Sequence, residues 1–177
     1  MKFLLVFSIL FLVYGCSDQD AGETTPESES INPRVGLIDE AGFQNLVADR
    51  EGKILLINVW ATWCIPCREE FPELVKIANE YHQQNVNVVG ISADFPDEIE
   101  SKVEPFLKSQ NAGFKNYVEN FEDDEAFINS VNPEWSGALP ATFVYDRDGV
   151  LRQSHFGQND LDGFRKMIEQ VRQADVE

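Results

Sequence analysis

Residues 58–73 read NVWATWCIPCREEFPE and place Cys64 and Cys67 two residues apart, in a chain with one other cysteine, Cys16. Three chemistries use such a pair. A zinc site needs about four ligands, commonly with a second Cys or His pair, and the two histidines, His82 and His155, are far apart in sequence. A structural staple would close a very short loop, which removes little entropy from the unfolded chain. A redox couple has a mechanism. KILLINVW, residues 53–60, reads as a buried strand, and a helix begins near Ile65, so Cys64 sits where unpaired N–H groups and the helix dipole favour a thiolate. Cys67, one turn on, can attack a mixed disulfide formed at Cys64 and release the product. Pro66 suits a first helical turn, where its missing N–H is not needed. Trp63 covers one side with apolar surface, for packing or for substrate contact.

Working outward, Phe43, Leu46 and Val47 predict a short helix over 39–48 capped by Asp39. The helix from Ile65 extends to about Gln83, and residues 86–92, VNVVGIS, form a second buried strand. Ile99, Val103, Phe106 and Leu107 share a face of a helix over 97–108 that Pro105 should kink. A short strand over 114–118 and a helix over 122–131 follow. Residues 141–145 and 150–156 are strands joined by the DRDG turn, and a helix over 160–173 closes the chain. Strands alternating with helices, ending in a hairpin and one more helix, give an α/β fold: a central mixed β-sheet flanked by helices, with an αβ-type insertion before the hairpin.

The N-terminus decides what becomes of Cys16. Lys2 precedes an apolar run from Phe3 to Tyr14, shorter than the roughly 20 residues of a membrane-spanning helix. It reads as a signal peptide, with an uncleaved anchor as the alternative. Val13-Tyr14-Gly15-Cys16 resembles a bacterial lipobox, which implies lipidation of Cys16 as the mature N-terminus and leaves Cys64 and Cys67 as a pair outside the cytoplasm. Residues 17–33 hold five acids and no aromatic residue, too little apolar surface to offset chain entropy, so a disordered tether is expected. The expected division is a signal peptide over 1–15, the lipidated cysteine and tether over 16–33, and one domain over 34–177. The formal charge of −17 argues against nucleic acid and against adhesion to anionic lipid.

NVWATWCIPCREEFPEL resembles the active-site segment of TlpA/ResA-like thiol–disulfide oxidoreductases of the thioredoxin superfamily, and the likeness runs over about residues 34–175. GALPATFVYDRDGVL resembles the family's second signature, a cis-proline loop entering the hairpin. The resemblance implies a thioredoxin-like fold, a redox disulfide between Cys64 and Cys67 with Cys64 the nucleophile and Cys67 the resolving thiol, and a cis peptide before Pro140. It also implies substrate contact through Trp63, Ile65, Pro66, Leu139 and Pro140, and no cofactor or metal. A plain proline at the start of a strand is the other reading of Pro140.

Thioredoxin carries a buried aspartate where this chain has Asn58, which cannot move a proton. The TlpA/ResA group shares the Asn and has a glutamate three residues after the second cysteine, here Glu70. Helix geometry favours the same residue independently. Phe71, Leu74, Val75, Ala78 and Tyr81 define an inward face; Glu69 lies nearly opposite it and Glu70 on its border. A partly buried carboxylate has a raised pKa, which suits proton transfer between thiols; an ordinary solvated glutamate is the alternative.

Rival functions are a peroxiredoxin-like thiol peroxidase and a non-catalytic binding lipoprotein. A peroxidatic cysteine follows a threonine by three residues, whereas Ala61 holds that place here and Thr62 is one too late. A binding module leaves the cysteine pair unexplained. Ile65 and Pro66 add no positive charge and Glu69 and Glu70 oppose thiolate formation, so a reductant is expected rather than a strong oxidant. Its partners would be a client protein with a disulfide, apocytochrome c among those the resemblance implies, and a membrane electron donor of the DsbD/CcdA type. Its place would be the extracytoplasmic (periplasmic) side of a bacterial membrane, through the Cys16 lipid.

Overall fold

A computed structural model describes residues 35–174; the expected signal peptide, Cys16 and the acidic stretch lie outside the described residues. Within them, β1 (Gly36–Ile38), α1 (Glu40–Ala48), β2 (Ile54–Trp60), α2 (Ile65–Tyr81) and β3 (Val86–Ser92) lead into a helical segment ending in α3 (Glu104–Ser109). Then come β4 (Lys115–Glu119), α4 (Asp124–Val131), β5 (Ala141–Tyr145), β6 (Leu151–Phe156) and α5 (Leu161–Ala174). The strands form one sheet in the order β1-β4-β3-β2-β5-β6. The four strands on the β1 side are mutually parallel, and β5 and β6 run antiparallel. This is the expected thioredoxin-like α/β architecture, and the strand carried by the insertion, β4, lies between β3 and β1.

The central strand explains the layers. All seven residues of β2 are buried, and alternate side chains enter opposite cores. Ile54, Leu56 and Trp60 pack with Phe71 and Leu74 of α2 and Phe164 of α5. Leu55, Ile57 and Val59 pack with Phe43 of α1 and Phe127 of α4. Asp39 caps α1 as expected, its Oδ1 accepting from Gly42 N at 2.8 Å.

Two local expectations change. The single kinked helix over 97–108 is instead a 3₁₀ turn (Pro96–Glu98), a π-turn (Ile99–Val103) and the short α3. Pro105 has no N–H for the preceding turn, and just before it Glu104 N reaches back five residues to Ile99 O. β1 was not anticipated: three residues, one of them glycine, carry no alternation, and the strand exists through its pairing with β4.

The hairpin turn is built around the buried Asp146. Its Oδ1 accepts from Asp148 N and Val150 N, both at 2.9 Å, and its Oδ2 from Arg152 Nε at 2.5 Å. Gly149, at φ 81°, supplies the left-handed residue. Arg50 fastens this turn to the α1 end of the sheet, donating to Asp146 O at 3.0 Å and Arg147 O at 2.6 Å.

Candidate active site

Where β2 ends, its neighbour β5 begins, because the two are antiparallel with Val59 opposite Ala141. The segment after β2 and the segment before β5 therefore emerge at the same end of the sheet. The first carries Cys64 and Cys67; the second carries Leu139 and Pro140, joined by a cis peptide.

Cys64 is the N-cap of α2, with extended backbone, and its Sγ accepts from Cys67 N at 3.2 Å. That N–H is one of the orphan donors of a helix N-terminus, aimed at the atom that would bear negative charge in the reduced state. Pro66 occupies the first turn as expected. The cysteines form a disulfide with Cα atoms 5.3 Å apart. Cys64 retains 6 % exposure and Cys67 none, so an incoming sulfur reaches Cys64 first.

Around this point the surface is apolar and open. Trp63 is 62 % exposed, and Ile65 and Phe95 are likewise exposed. A groove of about 330 Å³ runs from Trp63 and Phe95 to Leu139, lined also by Trp135, Ile128, Glu119 and Asp124. Burial raises the Glu119 carboxyl, against a lowering hydrogen bond from Phe121 N, and Asp124 raises it further. Pro140 is buried and its carbonyl accepts from Gly157 N at 2.8 Å. A larger hollow of about 560 Å³, between α1, α4 and the hairpin turn, is lined by Glu40, Arg50 and Tyr145 and holds no cysteine.

Beneath the pair lies Glu70, one turn beyond Cys67. It is 2 % exposed, deeper than a border position suggests. Its Oε1 accepts from Asn58 Nδ2 at 2.8 Å and its Oε2 from Asn159 N at 2.7 Å. Burial raises its pKa to about 7, although the bonds from Asn159 and Asn58 both pull it down. Asn58 Nδ2 also reaches Thr142 Oγ1 at 3.1 Å, while Asn58 Oδ1 has no partner. That free acceptor matters chemically. With its amide turned over, Asn58 can accept a hydrogen bond from a neutral Glu70 as readily as it now donates one to the carboxylate.

Sequence reasoning missed Thr142 and Asn159. Thr142 stands opposite Asn58 in the β2–β5 ladder, a signal available once the two strands are paired. Asn159 meets Glu70 only through a loop, which no pattern announces. Among the described residues no group of His, Cys, Asp and Glu side chains could hold a metal ion.

A model of the AhpC/TSA family matches residues 31–154. The thiol:disulfide interchange protein DsbE of Allochromatium vinosum is 30 % identical over 173 residues, covering 96 % of this chain and 87 % of that protein. The thiol-disulfide oxidoreductase ResA of Geobacillus kaustophilus is 26 % identical over 143 residues, covering 81 % and 77 %. Among solved structures, a thioredoxin-related protein from Neisseria meningitidis serogroup B superposes with a TM-score of 0.58 at 26 % identity, covering 68 % of this chain and 85 % of that one.

Proposed function

The chain belongs to the AhpC/TSA family and is a protein disulfide oxidoreductase of the thioredoxin superfamily, and from that footing we propose that it works as a reductase of client protein disulfides. The observation that supports this reading best is the buried Glu70, held between Asn58 and Asn159 with a pKa near 7, one turn from a solvent-inaccessible Cys67.

In the reduced enzyme the Cys64 thiolate attacks one sulfur of the client disulfide, forming a mixed disulfide and expelling the other client sulfur as a thiolate, which takes up a proton. Cys67 then loses its proton to Glu70, attacks Cys64 Sγ, closes the Cys64–Cys67 bond and releases the second client thiolate. Two electrons pass to the client and its two sulfurs end as thiols. Glu70 serves because a carboxyl near pKa 7 both accepts and returns a proton at neutral pH, and Cys67 is closed to solvent. Trp63, Ile65, Pro66 and Leu139 form the surface on which the client segment lies, with the buried Pro140 behind it.

The enzyme works outside the cytoplasm, tethered through a lipid on Cys16 and the acidic segment to residue 33, and is recharged by a membrane dithiol donor of the DsbD/CcdA type. Apocytochrome c is one client chemistry that fits. Among the described residues no helix is long and apolar enough to cross a membrane. A Cys67→Ser variant should accumulate mixed disulfides with clients through Cys64, and Cys64→Ser should form none; trapping through Cys67 alone would reverse the roles. Reduced enzyme consuming hydrogen peroxide faster than a protein disulfide would favour the peroxidase reading instead. Cys16→Ala should shift the protein from the membrane fraction, and a full-length, unmodified wild-type chain in the cytoplasm would refute the tether.

A further inference from the structure

Three carboxylates are buried among the described residues. Glu70 belongs to the thiol chemistry and Asp146 builds the hairpin turn. Asp94, 1 % exposed, has no part in either. It lies two residues beyond the end of β3, at the same end of the sheet as the cysteines, and β3 pairs with β2 as far as Trp60 opposite Ser92.

Its bonds tie one short segment to the end of β3. Asp94 Oδ2 accepts from Thr62 N at 2.8 Å and from Ser92 Oγ at 2.5 Å, and Oδ1 accepts from Thr62 Oγ1 at 2.5 Å. Asp94 N donates to the same Ser92 Oγ at 3.1 Å, and Ala93 N donates to Trp60 O at 2.8 Å. The segment so pinned is the turn Ala61–Cys64, closed by Cys64 N donating to Ala61 O at 3.2 Å. The turn sets where the Cys64 sulfur stands relative to Cys67 N, the donor that would stabilise its thiolate.

We infer that Asp94 is a positioning residue for the redox reaction, holding Thr62 so that the Cys64 sulfur stays on the N-terminal donors of α2. The inference rests on Cys64 being the nucleophile. Other charges surround both ends of the contact. Lys102, on the π-turn, feels the charge of Asp94 while paired with Glu98. Arg68, Glu69 and Glu70 share the helix with Cys64, and Glu119 and Asp124 line the groove that begins at Trp63.

Two substitutions separate position from charge. Asn at 94 can accept from Thr62 N and Ser92 Oγ through its Oδ1 and donate from Nδ2 to a rotated Thr62 hydroxyl, keeping the turn without the charge. Ala loses the turn and the charge together. The measurement is the pH profile of iodoacetamide alkylation of the reduced protein, with the modified cysteine identified by mass spectrometry, beside kcat and KM for reduction of insulin. Asp94→Ala should raise the Cys64 midpoint by about one pH unit, lowering alkylation about tenfold below the midpoint, and should lower kcat with KM little changed. Asp94→Asn should stay within about twofold of wild type, because the hydrogen bonds survive. An Ala variant matching wild type, or Asn and Ala variants changed alike, would overturn the inference; a common fall in the midpoint would assign the effect to charge. Should Asp94→Ala fail to fold, Thr62→Val, which deletes only the hydroxyl bond, decides: alkylation at the wild-type rate refutes the role. First alkylation at Cys67 would instead sink the nucleophile assignment and leave the Asp94 contacts unjudged only until the same profiles are read at Cys67, where insensitivity to Asp94→Ala rejects the inference as well.

Discussion

Replacing Glu70 with Gln should change how stability depends on pH, and the size follows from its burial. The carboxyl titrates near 4.5 in the unfolded chain and at about 7 in the folded protein, a rise of roughly two and a half units, or about 3 kcal/mol at 1.36 kcal/mol per unit. The folded state therefore holds a proton that the unfolded chain has released between pH 4.5 and 7. More protons bound in the folded state means that stability falls as pH rises. The Glu70 contribution is complete below pH 4.5 and is lost through pH 7. Gln carries no such dependence. It also fits, since its Nε2 can donate to the unpaired Asn58 Oδ1 after the Asn58 amide turns over. Urea unfolding of wild type and Glu70→Gln, both as the disulfide so that no thiol titrates, should show the variant gaining about 3 kcal/mol relative to wild type between pH 4 and pH 8. Parallel curves would show that the folded carboxyl titrates like a solvated one and cannot serve Cys67 at neutral pH. In the reduced enzyme the same substitution should lower the thiol midpoints and slow client reduction at least tenfold, the lower end of what a general base contributes, while Glu69→Gln, at the exposed neighbouring position, changes the rate less than twofold.

Trp63→Ala removes a large exposed ring, so unfolding free energy should stay within about 0.5 kcal/mol, while KM for a protein client rises; an unchanged KM would remove Trp63 from the client surface. Gly90→Ala should destabilise by about 1–3 kcal/mol, because a Cβ there would lie 2.0 Å from Asn116 Oδ1 and 3.0 Å from Trp60 Nε1, both in the core beside β3. Denaturant unfolding checks this, and a neutral result would mean that Asn116 moves aside freely.

The parts of this protein legible from sequence are those set by local pattern. The buried strands, the Asp39 cap, the Cys64 helix start and the hairpin all announce themselves within a few residues. Glu70 was legible too, because helical periodicity places position 70 beside the inward face formed by Phe71 and Leu74. What stayed hidden needed strands from distant parts of the chain. Thr142 joins the site only through the register that sets it opposite Asn58, and Asp94 only because β3 ends level with β2. β1 depends wholly on β4 for its hydrogen bonds. The break at Ile99–Val103 reflects a proline whose effect, expected as a kink, is expressed as a wider turn before it.

The position of β4 in the sheet has a consequence for how such a chain can diverge. The cysteine segment and the Pro140 segment meet through the β2–β5 ladder, with Val59 opposite Ala141. The insertion enters elsewhere, between β3 and β1, yet Glu119 of β4 and Asp124 and Ile128 of α4 line the groove that starts at Trp63. Lengthening, shortening or recolouring that lining leaves the reactive sulfur in register. On the proposed reading, with clients lying along that groove, client choice is separable from catalysis, and a graft of residues 115–131 from a relative is the unit in which recognition would be exchanged.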